Sequence, residues 1–304
     1  MRAFLFSGQG AQYIGMGKEL YKQEKIVRET FEEASELLGY SMADLCFTEN
    51  QNLNETEFTQ PAILTVSTSF LRVVNDRGIT ADAVAGLSLG EYTALVASGA
   101  LAFSDAVTLV QTRGRLMSAA APSGSGKMVA VMNTPAEVIE AACKEASQVG
   151  IVSPANYNTP QQIVIGGEVK AVEQAEELLK AQGVKRMIPL NVSGPFHTAL
   201  LQPASEKLAE VLQTIDFHEM NIPVISNTTA QVMPQSDIRS LLEKQVMSPV
   251  RFSDSIETLK SLGVTELVEI GPGKILSGFV KKIDKTLALQ RVEDSGTLQK
   301  LLEA

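Results

Sequence analysis

Gly86-Leu87-Ser88-Leu89-Gly90-Glu91 follows a short apolar run, Asp82-Ala83-Val84-Ala85, and leads into a helical pattern, Glu91-Tyr92-Thr93-Ala94-Leu95-Val96-Ala97. The apolar run reads as the end of a buried strand. Gly-x-Ser-x-Gly between a strand and a helix is the nucleophile-elbow arrangement. So tight a turn admits only glycine at its flanks, where a side chain would collide with its neighbours. The Ser88 hydroxyl is then expected above the carboxyl edge of a sheet, at the amino end of a helix that favours developing negative charge. An acyl-serine intermediate is the chemistry this position suggests.

Working outward, strand-like apolar runs alternate with helical periodicity, which predicts an α/β fold with a mostly parallel sheet. Met1–Phe6 reads as a first strand, Val84–Ala85 as the strand feeding the elbow and Glu266–Ile270 as a late one. Pro122-Ser123-Gly124-Ser125-Gly126-Lys127 has the composition of a linker. Behind it come strand Met128–Met132, helix Pro135–Ser147, strand Ile151–Ala155, strand Gln161–Ile165, helix Val169–Ala181 and strand Val184–Leu190. That order, β-α-β-β-α-β, is the signature of a ferredoxin-like module. The expectation is therefore a larger α/β-hydrolase-like domain, residues 1–123 and 192–304, with a smaller ferredoxin-like domain, residues 124–191, inserted into it.

Composition bounds the partners. A chain of 304 residues with a formal net charge of −9 lacks the concentrated basic face of a nucleic-acid binder. The opening Met1–Phe6 run is too short for a signal peptide. No stretch approaches the roughly 18 apolar residues of a membrane span. The two cysteines, Cys46 and Cys143, stand apart in amphipathic surroundings and read as core residues in a reducing cytoplasm. With only two histidines there is no metal-ligand spacing, and no cofactor is implied.

A nucleophilic serine needs a base, and only His197 and His218 exist. His218 sits among charged residues and reads as solvated. His197, in Gly194-Pro195-Phe196-His197-Thr198, is the candidate partner. An α/β-hydrolase should place an acidic residue between serine and histidine. The one aspartate there, Asp105, reads as a helix cap. A dyad with its imidazole held by a backbone carbonyl would serve instead.

Arg113 falls on one helical face with Ala106, Val110 and Met117, while Arg115 points away. A guanidinium in an apolar stripe needs an anionic partner. That partner is either a buried carboxylate of the chain or the carboxylate of a substrate held bidentately. The second would be worth about 1.5–3 kcal/mol and would select a dicarboxylic acyl group. The loop Gly8-Gln9-Gly10-Ala11-Gln12 fails the dinucleotide fingerprint at Tyr13, and Gly124-Ser125-Gly126-Lys127 lacks the other residues of a phosphate loop. A glycine loop beside the serine could instead present N–H groups to an oxyanion.

Taken in order along essentially the whole chain, these segments resemble the malonyl-CoA:acyl carrier protein transacylases of bacterial fatty-acid synthesis. The set comprises Gly8–Gln12, the elbow at Ser88, Gln111-Thr112-Arg113-Gly114 and the Asn156-Tyr157-Asn158-Thr159-Pro160 loop. It continues with Gly194–His197, Ser248-Pro249-Val250-Arg251-Phe252 and Glu269-Ile270-Gly271-Pro272-Gly273. The resemblance implies transfer of malonyl from malonyl-CoA to the phosphopantetheine thiol of holo acyl carrier protein, with Ser88 as nucleophile and His197 as base. It further implies an oxyanion hole from the N–H groups of Gln9 and Leu89, with Arg113 on the malonyl carboxylate. Met117 would line the acyl pocket, and the Gln245 carbonyl would orient His197. Phe196 and Leu89 match the malonyl-selective pattern.

One departure is Leu87, where the family commonly has histidine, which leaves His197 as the base. Carrier proteins are acidic, so Lys185-Arg186 and Lys281-Lys282 are candidate docking pairs. A cytoplasmic monomer, binding neither nucleic acid nor membrane, is the default expectation. The rival readings are a serine hydrolase acting on water and a non-enzymatic carrier-binding scaffold.

Overall fold

The computed structural model describes every residue except Ser123 and Ser193. The expected linker and the first expected domain segment both run through Ser123, which lies outside the described residues. The strands in chain order are β1 (Arg2–Phe6), β2 (Ala83–Gly86), β3 (Lys127–Met132), β4 (Val152–Thr159) and β5 (Gln162–Gly167). They are followed by β6 (Met187–Pro189), β7 (Val224–Ile225), β8 (Glu266–Ile270) and β9 (Ala288–Val292).

Five of these form one parallel sheet in the order β7-β2-β1-β8-β9. The alternation of a strand sends successive side chains to opposite faces. Phe4, Phe6, Val84 and Val268 accordingly enter one core, packed with the long Thr56–Asp76 helix. Ala3, Leu5, Ala83, Ala85 and Leu267 enter the other, closed by Phe252, Ile256 and Leu276. A parallel sheet covered on both faces needs such nearly unbroken apolar strands.

The other four strands form an antiparallel sheet, β4-β5-β3-β6. Helices Ala136–Ala146 and Val169–Ala181 cover one face through Val129, Val131, Ile163 and Ile165. The opposite face is smaller, with Met128, Ala130, Ala155 and Val164. It turns toward the elbow, where Met128 and Val164 help line a cavity.

Three local expectations shift. The stretch Asn156–Thr159, expected as a loop, belongs to β4, because its free edge is paired: Tyr157 N–H donates to Val250 O (2.8 Å) and Val250 N–H to Ala155 O (2.9 Å). The last strand of this sheet is only Met187–Pro189, since Val184 N–H instead closes the preceding helix on Leu179 O. Asp105 does not cap its helix. The helix begins at Phe103, itself buried, with Ala102 at the cap, and Asp105 lies in the first turn, where its charge suits the helix dipole.

Candidate active site

Ser88 joins β2 to the Leu89–Ala97 helix with φ 55° and ψ −106°. A side chain at this φ is strained, and the neighbouring glycines explain how the turn survives. A Cβ on Gly90 would overlap the Phe6 carbonyl oxygen, one on Gly86 the Gly90 carbonyl carbon, and one on Gly8 the Leu87 carbonyl oxygen. The elbow is thus pressed directly onto the end of β1. Asn227 clamps it: its Oδ1 accepts the Ser88 N–H at 2.6 Å and its Nδ2 donates to Gly86 O at 2.6 Å.

His197 also has positive φ, 60°, and its own N–H donates to Val246 O at 3.1 Å. Its ring spans two partners: Nδ1 lies 2.8 Å from Gln245 O, and Nε2 lies 2.8 Å from Ser88 Oγ. A carbonyl can only accept, so the proton of the neutral ring sits on Nδ1 and Nε2 is free to take the serine proton. Burial, helped by the nearby Arg113 charge, lowers the His197 pKa to about 4, against the opposing hydrogen bonds to the Gln245 and Ser248 backbone. At neutral pH the imidazole is therefore unprotonated, and its Nε2 can accept a proton.

Arg113 is 1% exposed in the Phe103–Ala120 helix. Its Nη1 donates to Gln60 Oε1 at 2.8 Å, and its Nη2 to Gln245 Oε1 at 2.9 Å and Ser88 Oγ at 3.1 Å. The guanidinium carbon sits 5.2 Å from the Tyr92 ring centre. Among the described residues no carboxylate forms an ion pair with Arg113, and its Nε has no hydrogen-bond partner. Burial pushes its pKa down, while Tyr92 and Glu91 oppose the shift. Its partners among the described residues include two amide oxygens and the Ser88 hydroxyl, with Tyr92 alongside, but no carboxylate, so the positive charge is desolvated without a contact counterion.

A cavity of about 560 Å³ gathers these groups: Ser88, His197, Arg113, Met117, Phe196, Gln9 and Leu89 all line it. Leu89 opens its helix, so its N–H has no acceptor within the helix. Leu87 lines the cavity as well, and Gln245 lies just behind, 1% exposed. Of the remaining sequence candidates, His218 is exposed and away from the cavity. Lys185, Arg186, Lys281 and Lys282 are all exposed. Lys281 borders a second depression with Lys274, Arg291 and Lys300.

Gln60 and Asn227 are not singled out by sequence, and Glu91 enters there only as a neighbour of Ser88 in the elbow motif. Gln60 carried one signal: it precedes Pro61, a proline inside a helix, where the missing N–H and ring clash usually reserve the spot for a special geometry. Asn227, in Ser226-Asn227-Thr228, has none beyond that of an ordinary turn.

The model of the acyl transferase domain family matches residues 3–300. A malonyl CoA-acyl carrier protein transacylase of Bacillus subtilis (strain 168) is 49% identical over 300 residues, 98% of this chain and 95% of that protein. The crystal structure of MCAT from Streptococcus pneumoniae superposes with a TM-score of 0.98 at 58% identity, covering 100% of this chain and 99% of the other. A type II PKS acyl-carrier protein in complex with its malonyl-transacylase (PlMCAT:AntF, holo) provides another match. Its TM-score is 0.96 at 43% identity over 99% of both chains.

Proposed function

Because this chain belongs to the malonyl-CoA:acyl carrier protein transacylase family, we propose that it moves malonyl from malonyl-CoA to holo acyl carrier protein through a malonyl-Ser88 intermediate. The observation that carries this reading is Arg113: a buried guanidinium with no carboxylate paired to it among the described residues, 3.1 Å from the hydroxyl that would bear the acyl group. An incoming malonyl carboxylate would supply the missing counterion.

In the first half-reaction Ser88 Oγ attacks the thioester carbon as its proton passes to His197 Nε2. The oxyanion would be held by the N–H groups of Gln9 and Leu89, each worth about 2.7–4 kcal/mol. Collapse breaks the C–S bond, and His197 returns the proton to the departing thiolate of coenzyme A. The second half runs in reverse. His197 takes the proton of the phosphopantetheine thiol, the sulfur attacks the malonyl-serine, and Ser88 leaves with that proton. The Gln245 carbonyl would keep the imidazole in the required tautomer throughout. Met117 and Phe196 would bound the acyl pocket, and Leu89 and Phe196 favour malonyl over bulkier groups.

The division into residues 1–123 with 192–304 and residues 124–191 belongs to this proposal. The parallel sheet behind Ser88 supports a hydrolase-like reading of the larger part, and the order β4-β5-β3-β6 a ferredoxin-like reading of the smaller. No helix among the described residues is long and apolar enough to cross a membrane. Action as a cytoplasmic monomer remains part of the proposal.

The test is intact mass after brief exposure to malonyl-CoA, with acetyl-CoA and Ser88→Ala in parallel. A malonyl-sized adduct that is lost in the variant and far weaker with acetyl-CoA supports the reading. No adduct and no release of coenzyme A would sink it.

A further inference from the structure

We propose that Glu91 is a positioning residue for acyl-group selection, acting on Arg113 through the side-chain amide of Gln245. The inference rests on the malonyl-transfer reading and adds to it a residue that touches neither Ser88 Oγ nor the cavity.

Gln245 is the hub. Its backbone carbonyl faces His197 Nδ1, while its side chain serves a different set of partners. Nε2 donates to a Glu91 carboxylate oxygen and to the Ser88 carbonyl oxygen (2.9 Å), and Oε1 accepts from Arg113 Nη2 (2.9 Å). An amide can face its neighbours in two orientations. The reverse one would set Oε1 against the Glu91 carboxylate and Nε2 against the guanidinium, acceptor on acceptor and donor on donor. Glu91, together with the Ser88 carbonyl, thereby holds Nε2 on its own side and keeps Oε1 turned to Arg113.

Glu91 is itself 1% exposed, in the first turn of the helix that follows Ser88. Its other oxygen accepts the Asn227 N–H at 3.1 Å. These partners donate, as does the Ser226 hydroxyl, and the Arg113 charge acts in the same sense; all favour the ionised carboxylate, while burial outweighs them and lifts the pKa to about 7. The arrangement places a negative group one amide away from Arg113 rather than in contact with it. A carboxylate in contact would compete with that of the substrate. One relayed through an amide steadies the cation and leaves it free to bind.

A merely structural Glu91, tying its helix to the Asn227 turn, predicts equal losses for every acyl donor. The experiment measures single-turnover labelling of Ser88 by malonyl-CoA and by acetyl-CoA in the wild type, Glu91→Gln, Gln245→Ala and the double variant. Gln245→Ala keeps the backbone carbonyl that faces His197. In Glu91→Gln we expect malonyl labelling to fall about tenfold or more, mainly through weaker substrate binding, with a narrowed malonyl-to-acetyl ratio. Gln245→Ala should narrow the ratio similarly, and the double variant should be no worse than Gln245→Ala, since the effect travels through that side chain.

Equal slowing of both thioesters, additive losses in the double variant, or an unchanged ratio would each overturn the proposal. Should Glu91→Gln fail to fold, an unchanged ratio in Gln245→Ala alone overturns it. Failure of the wild type to form a malonyl adduct would instead remove the functional reading, and this inference with it.

Discussion

Arg113 Nη2 donates across 3.1 Å to Ser88 Oγ, the same hydroxyl that lies 2.8 Å from His197 Nε2. The guanidinium and the imidazole therefore meet on one oxygen. An acyl group on that oxygen has its far carboxylate within reach of the guanidinium only if the acid is short, which suits a three-carbon diacid. Replacing Arg113 with alanine should cost malonyl transfer about 1.5–3 kcal/mol, the worth of a charge-assisted hydrogen bond. Arg113→Lys should recover only part of this, because an ammonium lacks the planar fork. Initial rates with malonyl-CoA and acetyl-CoA decide the matter; equal losses on both would deny Arg113 a selective role.

Asn227 holds the strained serine by two short bonds, to Ser88 N–H and Gly86 O. Asn227→Ala would leave a buried donor and a buried acceptor unsatisfied, which costs about 1–3 kcal/mol each before relaxation. Thermal unfolding should show the loss, and labelling by either thioester should slow together. A variant as stable and active as the wild type would mean that the elbow keeps its geometry without the clamp.

Much of this site was legible because its chemistry sits in local patterns. Gly86-Leu87-Ser88-Leu89-Gly90 announces a turn whose flanks only glycine fits, and the 3.6 period by itself puts Arg113 on an apolar face. Other parts depend on contacts distant in sequence. Gln60 reaches Arg113 across 53 positions and Asn227 reaches Ser88 across 139, and apart from Pro61 beside Gln60 nothing near either residue marks the encounter. The β4 stretch Asn156–Thr159 looked like a loop because its residues are polar. Its pairing with Val250, nearly a hundred residues later, holds it extended.

Gly90 and Gly278 offer a matched pair of glycines. A Cβ at Gly90 overlaps the Phe6 carbonyl oxygen and comes within 2.7 Å of its carbon, whereas one at Gly278 meets nothing within 4 Å. Backbone cannot yield as a side-chain tip can, so Gly90→Ala should lose about 3 kcal/mol or more together with activity. Gly278→Ala, inside the helix Ile275–Ile283, should gain about 0.4–1 kcal/mol by restricting the unfolded chain. Denaturant midpoints of the two variants test both signs.

The exposed pairs Lys185-Arg186 and Lys281-Lys282 make separate predictions. Lys281 borders a depression with three further cations, Lys274, Arg291 and Lys300, on a chain of net charge −9. Charge reversal of Lys281-Lys282 should raise the Michaelis constant for carrier protein about tenfold at low salt and less at high salt. Labelling by malonyl-CoA should be untouched. If reversal of neither pair moves the carrier-protein constant, docking lies elsewhere.

Titration separates the imidazole from its neighbours. His197 is lowered to about 4 by burial and by Arg113, and Glu91 is raised to about 7 by burial. The histidine contributes stability that is present above its ordinary value of 6.5 and is lost as pH falls toward about 4, where the folded form finally accepts the proton. Glu91 behaves oppositely: its contribution is complete below 4.5 and is lost as pH rises through about 7. Between those limits the two partly cancel, so melting temperature alone is a poor reporter, while the acylation rate is a good one. With His197 neutral well below 6.5, malonyl labelling of Ser88 should persist to about pH 5. The raised Glu91, which faces Arg113 and Tyr92, should add a limb near 7 that vanishes in Glu91→Gln. Single-turnover rates of the two proteins between about pH 5 and 8 give the answer. A limb at 6.5, the ordinary histidine value, that survives in Glu91→Gln would mean that His197 titrates as an ordinary histidine and that its burial is relieved when substrate binds.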